Sequence, residues 1–174
     1  MLKYRIAAFV ALSLVASPAL AERLSFDHRL SPALKAVLDA NDPAMIEYND
    51  KNPRYVTDVI AVHGKSARDW TEALVIIART PDKQVRTAAQ WMAELRADAD
   101  RKCRNEVRTL AEDAASLTFE RRSTGCPKDY PHLALYRVVA GQRSLFLLAV
   151  LSKAELSEES QRQWRELLAS AHLE

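Results

Sequence analysis

Four strand-like segments stand between Glu106 and Val150, and the joints between them within each pair are very short. "EVRTLAED" and "SLTFERRS" alternate apolar and polar residues across an Asp/Ala turn. "HLALYRVV" and "SLFLLAV" follow, joined through "AGQR" with Gly141 in the turn. Period-two alternation across a tight joint is the signature of an antiparallel hairpin with one solvated face, and two-sided glycine freedom suits the second turn. An antiparallel sheet is therefore the frame into which the rest of the chain must fit.

A sheet needs cover, and two amphipathic helices are available. Val85 to Lys102 places Val85, Ala88, Trp91, Met92, Leu95 and Ala99 on one face, with Arg86, Gln90, Glu94, Arg96 and Asp98 elsewhere. Near the C-terminus, Ser157 is a good N-cap, and Glu158 and Glu159 sit where the helix dipole favours acids. Trp164, Leu167, Leu168 and Ala171 make that helix's apolar face. Two further strands are expected, Tyr55 to Val62 and the near-continuous apolar run Trp70 to Ala78. A turn-rich "NDKNP" separates the first of these from an extended piece at Met45 to Tyr48. A short helix capped by Ser31-Pro32 and stopped by Asn41-Asp42-Pro43 is expected before it. The expected fold is α+β: an antiparallel β-sheet covered by two main amphipathic helices, plus a short N-terminal helix.

The chain begins with Lys3 and Arg5, an apolar run from Ile6 to Val15, and Ala19-Leu20-Ala21 ahead of Glu22. A positive start, a short apolar stretch and a small-x-small site make a secretory signal peptide with cleavage after Ala21. The apolar run is shorter than the ~20 residues of a membrane span, and no cysteine follows the cleavage site. The expected organisation is a signal peptide over 1–21, an N-terminal helical segment over 22–44 and a single α+β domain over 45–174. The mature protein is expected to be soluble and periplasmic or secreted, without membrane insertion. Of the chain's 25 basic and 23 acidic residues, two bases lie in the signal, so the mature chain is formally neutral. The basic pI is therefore no argument for nucleic acid or an anionic membrane.

Cys103 and Cys126 both lie in the mature part. An even pair in an oxidising compartment reads as a structural disulfide. No Cys-x-x-Cys is present, and neither cysteine has a histidine at ligand spacing.

Chemistry is harder to find. "VHGKSARDW" carries Gly64-Lys65-Ser66, the tail of a phosphate-binding loop, but that loop needs another glycine at position 59, where Val59 stands. The compartment also lacks ATP as a rule. His28, His63, His132 and His172 are dispersed, with no paired spacing. None of the three glycines builds a Gly-x-Ser-x-Gly elbow. The carboxylate pairs Glu112-Asp113 and Glu158-Glu159 sit at a turn and a helix start. No catalytic residue, metal site or cofactor is assigned. Trp70, Arg121, Arg122 and Tyr136 are the residues proposed for a ligand or partner surface. The reading is a non-catalytic exported domain that binds a protein partner or a small ligand. The alternative is a small periplasmic enzyme or metal-binding protein using His63 or His132.

One resemblance bears on this. "HGKSARDWTEALVII" leads into an amphipathic helix that runs to a cysteine, then a hairpin and a second cysteine. A strand pair of the type "YRVVAGQRSLFLLAV" and a last helix with a tryptophan complete the order. Over most of residues 45 to 171 this is similar to the Mog1/PsbP-like α/β/α sandwich domains. The resemblance implies a binding or assembly role, and it brings no catalytic residues with it.

Overall fold

A computed structural model of the chain describes residues 22–27 and 69–174, together with the backbone of 55–64. Strands β1 (Leu24–Ser25), β2 (Tyr55–Gly64) and β3 (Trp70–Arg79) come first, followed by helix α1 (Ala88–Asp100). Strands β4 (Arg104–Glu112), β5 (Ser116–Thr124), β6 (Leu133–Ala140) and β7 (Leu145–Ser152) form the middle of the chain. Helix α2 (Glu158–Ser170) and strand β8 (His172–Leu173) close it. The expected helix after Ser31 and the extended piece at Met45 to Tyr48 lie outside the described residues.

Six strands make one antiparallel sheet in the order β2-β3-β7-β6-β5-β4, and β1 pairs with β8 in a separate two-stranded ribbon. The two hairpins expected in the middle of the chain are present, with Leu117 opposite Glu112 and Leu145 opposite Ala140. Asp113 fixes the first turn: its carboxylate accepts bonds from the Ala115 and Ser116 amides and from the Ser116 hydroxyl. The β6–β7 pair forms the middle of the sheet, and nearly every side chain of both strands is buried. That explains why "LFLLAV" is almost unbroken in its apolar character: strands covered on both faces have no polar side to show.

Both faces are covered because the two helices take opposite sides. Trp91, Ala88 and Val85 pack with Leu117, Phe119, Ala134, Tyr136, Val138, Leu145, Leu147 and Ala149 on one face. Trp164, Leu167, Leu168 and Ala171 pack with Leu74, Leu133, Leu135, Leu148 and Val150 on the other. The α+β fold class holds; the β6–β7 hairpin is covered on both faces, while in the β4–β5 hairpin Glu106, Arg108 and Arg122 are exposed on one side. One helix on each side splits the core into two layers, with the sheet between them. The last helix is capped at Ser157 as expected, whereas α1 runs Ala88–Asp100, shorter than the expected Val85 to Lys102, because Thr87 caps its start. The Thr87 hydroxyl accepts from Gln90 N while the Gln90 side chain reaches back to the cap, and the Ser157 hydroxyl accepts from Ser160 N.

Cys103 and Cys126 form the disulfide, with their Cα atoms 4.7 Å apart. It ties the joint between α1 and β4 to the loop between β5 and β6.

Candidate functional site

α2 packs over β3, β7 and β6, and beside it Arg122 of β5 and Glu106 and Arg108 of β4 stay exposed on the same side of the sheet. Alternation along β5 sends Glu120 and Arg122 to this side, while Leu117, Phe119 and Arg121 face α1. On the neighbouring edge strand, Glu106 stands opposite Arg122 and Arg108 opposite Glu120. From the helix, Arg165 reaches down to the sheet.

Glu120 is the centre of this arrangement. Its side chain is only 4% exposed, yet three guanidinium groups meet it. Arg165 donates to Oε2 at 2.7 Å, Arg122 donates through Nε to Oε1 at 2.9 Å, and Arg108 lies 3.6 Å from Oε2. Burial alone would raise the Glu120 carboxyl above its ordinary value. The bonds from Arg165 and Arg122 and the charges of Arg122 and Arg108 more than offset this and hold it below. Glu120 is therefore ionised at neutral pH. The arginines remain open to solvent, with side chains 63% (Arg108), 45% (Arg122) and 41% (Arg165) exposed.

Two recesses meet at Arg122. One of about 720 Å³ runs along α2 and is lined by Arg122, Gln161, Arg162, Arg165, Glu166 and Ala169, with Glu158 at its end. The other, about 290 Å³, is bounded by Glu106, Arg108, Glu120 and Arg122. At the rim, Arg162 is committed to Glu159 and to Glu166. On the floor, Arg108, Arg122 and Arg165 converge on Glu120, and Glu106, cross-strand from Arg122, brings a second carboxylate to the smaller recess.

The four residues proposed from sequence are dispersed by the fold. Arg122 lies in the groove. Arg121, its neighbour, faces α1 and is 5% exposed, as is Tyr136. These two come together in the core and do not belong to a surface. The Arg121 guanidinium donates to the Tyr130 hydroxyl at 2.8 Å and stacks 5.1 Å from the Tyr130 ring and 5.7 Å from the Tyr136 ring. The aromatic faces supply the negative potential that a carboxylate would otherwise provide. Tyr136 also stacks on Phe119 at 4.6 Å, and burial pushes its phenol up to about 12 against the pull of the Arg121 charge. A phenol so placed is a packing group. Trp70 opens β3, with the Lys153 ammonium 4.3 Å over its ring, and contributes to neither recess.

Sequence reasoning missed Arg108, Glu120, Arg162 and Arg165. A signal for part of the set exists: Glu120 and Arg122 are two apart on a strand, and Arg162 and Arg165 are three apart on a helix, so each pair shares a face. Nothing in the chain shows that the two pairs face each other.

Gly64 ends β2 and pairs with Trp70 of β3, so the next described element after Gly64 is a strand; Lys65 and Ser66 lie outside the described residues. A phosphate loop must open a helix, and none follows here. Among the described residues, no group of three His, Cys, Asp or Glu is placed to hold a metal ion. His132 is exposed beside the disulfide loop, and the His172 ring lies 2.9 Å from the Ser170 carbonyl. His28 and the side chain of His63 lie outside the described residues. No described helix is long and apolar enough to cross a membrane.

Compared with known proteins, the chain matches no family model, no curated protein and no solved structure.

Proposed function

We propose that the mature chain is an exported, non-catalytic binding domain, and that it takes an anionic group of a partner or small ligand in the groove beside α2. The observation that carries this reading is the three-to-one ratio of guanidinium groups to carboxylate at Glu120. A carboxylate has about four lone-pair sites, and each guanidinium brings five N–H donors in a fixed fork. Glu120 therefore satisfies only a fraction of the donors around it. The surplus, on side chains that stay partly exposed, suits a carboxylate or phosphate of a ligand. Glu120 itself acts as an internal stand-in for that ligand. It holds the arginines in place and lowers the repulsion among them while the site is empty.

Export is supported by the leader pattern ahead of Glu22, and a disulfide fits an oxidising compartment. The likeness in element order to Mog1/PsbP-like sandwich domains, mostly binding or assembly factors, points the same way.

The test is an NMR titration of the mature protein with inorganic phosphate and, separately, with a glutamate-rich peptide. Saturable shifts at the Arg122 and Arg165 side chains, weakening as salt rises, are expected. Arg122→Gln should reduce the affinity at least about fivefold, since a charge-assisted bond contributes more than a kcal/mol. Shifts that do not saturate, or that survive Arg122→Gln unchanged, overturn the site. Turnover of any substrate in a hydrolase panel, abolished by replacing one Ser or His, overturns the non-catalytic reading.

A further inference from the structure

The turn between β6 and β7 is built around a group from the other end of the chain. The Glu22 carboxylate lies against it and accepts bonds from three successive backbone amides. Gln142 N donates to Oε1 at 2.5 Å, Arg143 N lies 3.1 Å from Oε2 and 3.3 Å from Oε1, and Ser144 N donates to Oε2 at 2.9 Å. Successive N–H groups turned toward one point form an anion-binding concavity. Gly141 closes the turn by donating to the Ser144 carbonyl at 2.8 Å. A Cβ at position 141 would meet the Glu22 carboxylate and push it off the turn. Glycine leaves room for the close approach of the carboxylate. Burial would raise the Glu22 carboxyl, but the three amides and the Arg143 charge hold it below its ordinary value.

The residues after Glu22 continue the attachment. Arg23 and Glu174 exchange backbone bonds of 3.2 and 2.9 Å, and Leu24 and Ser25 pair with Leu173 and His172. Leu24, Phe26 and Leu173 pack on the core under α2. The amide of Asp27 donates to the Ser170 hydroxyl at 2.8 Å.

Glu22 is also the residue at which the leader pattern places the new N-terminus. We infer that the β6–β7 turn is a carboxylate-binding site whose ligand is the first residue of the mature chain, so that seating Glu22 locks the mature N-terminus onto the domain. Hydrolysis of the Ala21–Glu22 peptide bond adds one water, leaving a carboxylate on Ala21 and an ammonium on Glu22. An aminopeptidase needs a chain end that is free to leave the surface, and residue 22 is held once its side chain is seated and residue 23 is paired. Once the leader is cut, seating holds the end that cleavage created against the domain. In a compartment with aminopeptidases, the seat of Glu22 and the backbone bonds of Arg23 with Glu174 protect the new N-terminus.

The inference rests on cleavage after Ala21, so the two are tested separately. N-terminal sequencing of protein recovered from the periplasmic fraction should begin at Glu22; another start overturns the link to processing. The seat itself is tested on residues 22–174 released from a cleavable fusion, with Glu22→Gln and Gly141→Ala as variants. Each is incubated with an aminopeptidase and followed by intact mass. Where opening is fast, trimming follows the population of the open terminus. Both variants should be trimmed at least about tenfold faster than the parent, while far-UV circular dichroism shows the domain still folded. If Gly141→Ala fails to fold, Glu22→Gln decides alone, because it keeps the side chain's shape and removes only its charge and one acceptor oxygen. A folded Glu22→Gln trimmed at the parental rate overturns the seat.

Discussion

Replacing Glu120 by Gln should lower stability and raise affinity for anions, and the two effects share one cause. Two charge-assisted bonds reach the carboxylate, at 2.7 and 2.9 Å, and a third guanidinium lies at 3.6 Å. Bonds to charged groups contribute ~1.5–3 kcal/mol each. Gln keeps one carbonyl acceptor, so about one bond is lost. The freed arginines, about two-fifths or more exposed, recover part of this loss by turning to water. The net cost is about 1–2 kcal/mol, or roughly 3–6 °C in melting temperature for a domain of this size. Removing the charge also leaves the three guanidinium groups without the carboxylate on which they converge, with Glu106 the remaining acid of the smaller recess. One unit charge at ~6 Å in a partly solvated site changes the interaction with a bound phosphate by ~1 kcal/mol, about fivefold in affinity. Thermal unfolding by circular dichroism and phosphate titration by calorimetry at two salt concentrations read the two effects. Acidification adds a check of sign. The Glu120 carboxyl is depressed in the folded state, so its contribution is present above the ordinary carboxylate range and is lost as pH falls through the folded value. The gap in stability between the parent and Glu120→Gln should therefore close at low pH. A variant as stable as the parent, with unchanged phosphate affinity, would show that Glu120 does not hold the arginines and would refute the reasoning.

Other outcomes follow from the same structure. Cys103→Ser and Cys126→Ser should each destabilise by about 3 kcal/mol, the chain-entropy value for a loop of this length; reductant should not lower their melting temperature further, and equal melting of parent and variants would remove the disulfide's role. Trp164→Phe removes the indole bond to the buried Glu72 carboxylate and should cost ~1–3 kcal/mol in urea unfolding, with near-zero cost arguing against that bond. Asp113→Asn weakens the β4–β5 turn, whose carboxyl is held low by the Ser116 hydroxyl and the Ala115 amide. Its stability deficit, measured by thermal scans against pH, should shrink as pH falls through that lowered value, and a deficit independent of pH would count against the turn's ionic character.

The six strands of the main sheet and the two helices were legible in the chain because their signals are local, whereas the two-residue strands β1 and β8 carry no period to read. Alternation along Ser116 to Ser123 and the 3-4 spacing of Val85, Ala88, Trp91 and Ala99 are set by backbone period. Ser157 caps α2 as its neighbours indicate. Thr87, with Gln90 three residues on, trims α1 to a start at Ala88, later than the apolar period beginning at Val85 suggests. Layering was not legible. An apolar helix face does not state which side of a sheet it will cover, and β6 and β7 are apolar enough to accept a helix on either.

The candidate site shows the same division. Arg121 and Arg122 stand together in the sequence and look alike there. Strand alternation sends one into the α1 core, where Tyr130 and Tyr136 hold it, and the other into the groove beside Glu120. The sequence alone determined that adjacent strand residues face opposite ways, that Cys103 and Cys126 can pair in an oxidising compartment, and that a chain end forms at Glu22 if the leader is cut. Only the tertiary structure decided which face each residue meets, that Arg165 lands over Glu120, and that residue 22 finds the turn after Gly141. Those contacts join residues 45 and about 120 positions apart. Partners so far apart leave no periodic trace in a single chain, because sheet order and helix placement, and not backbone period, bring them together.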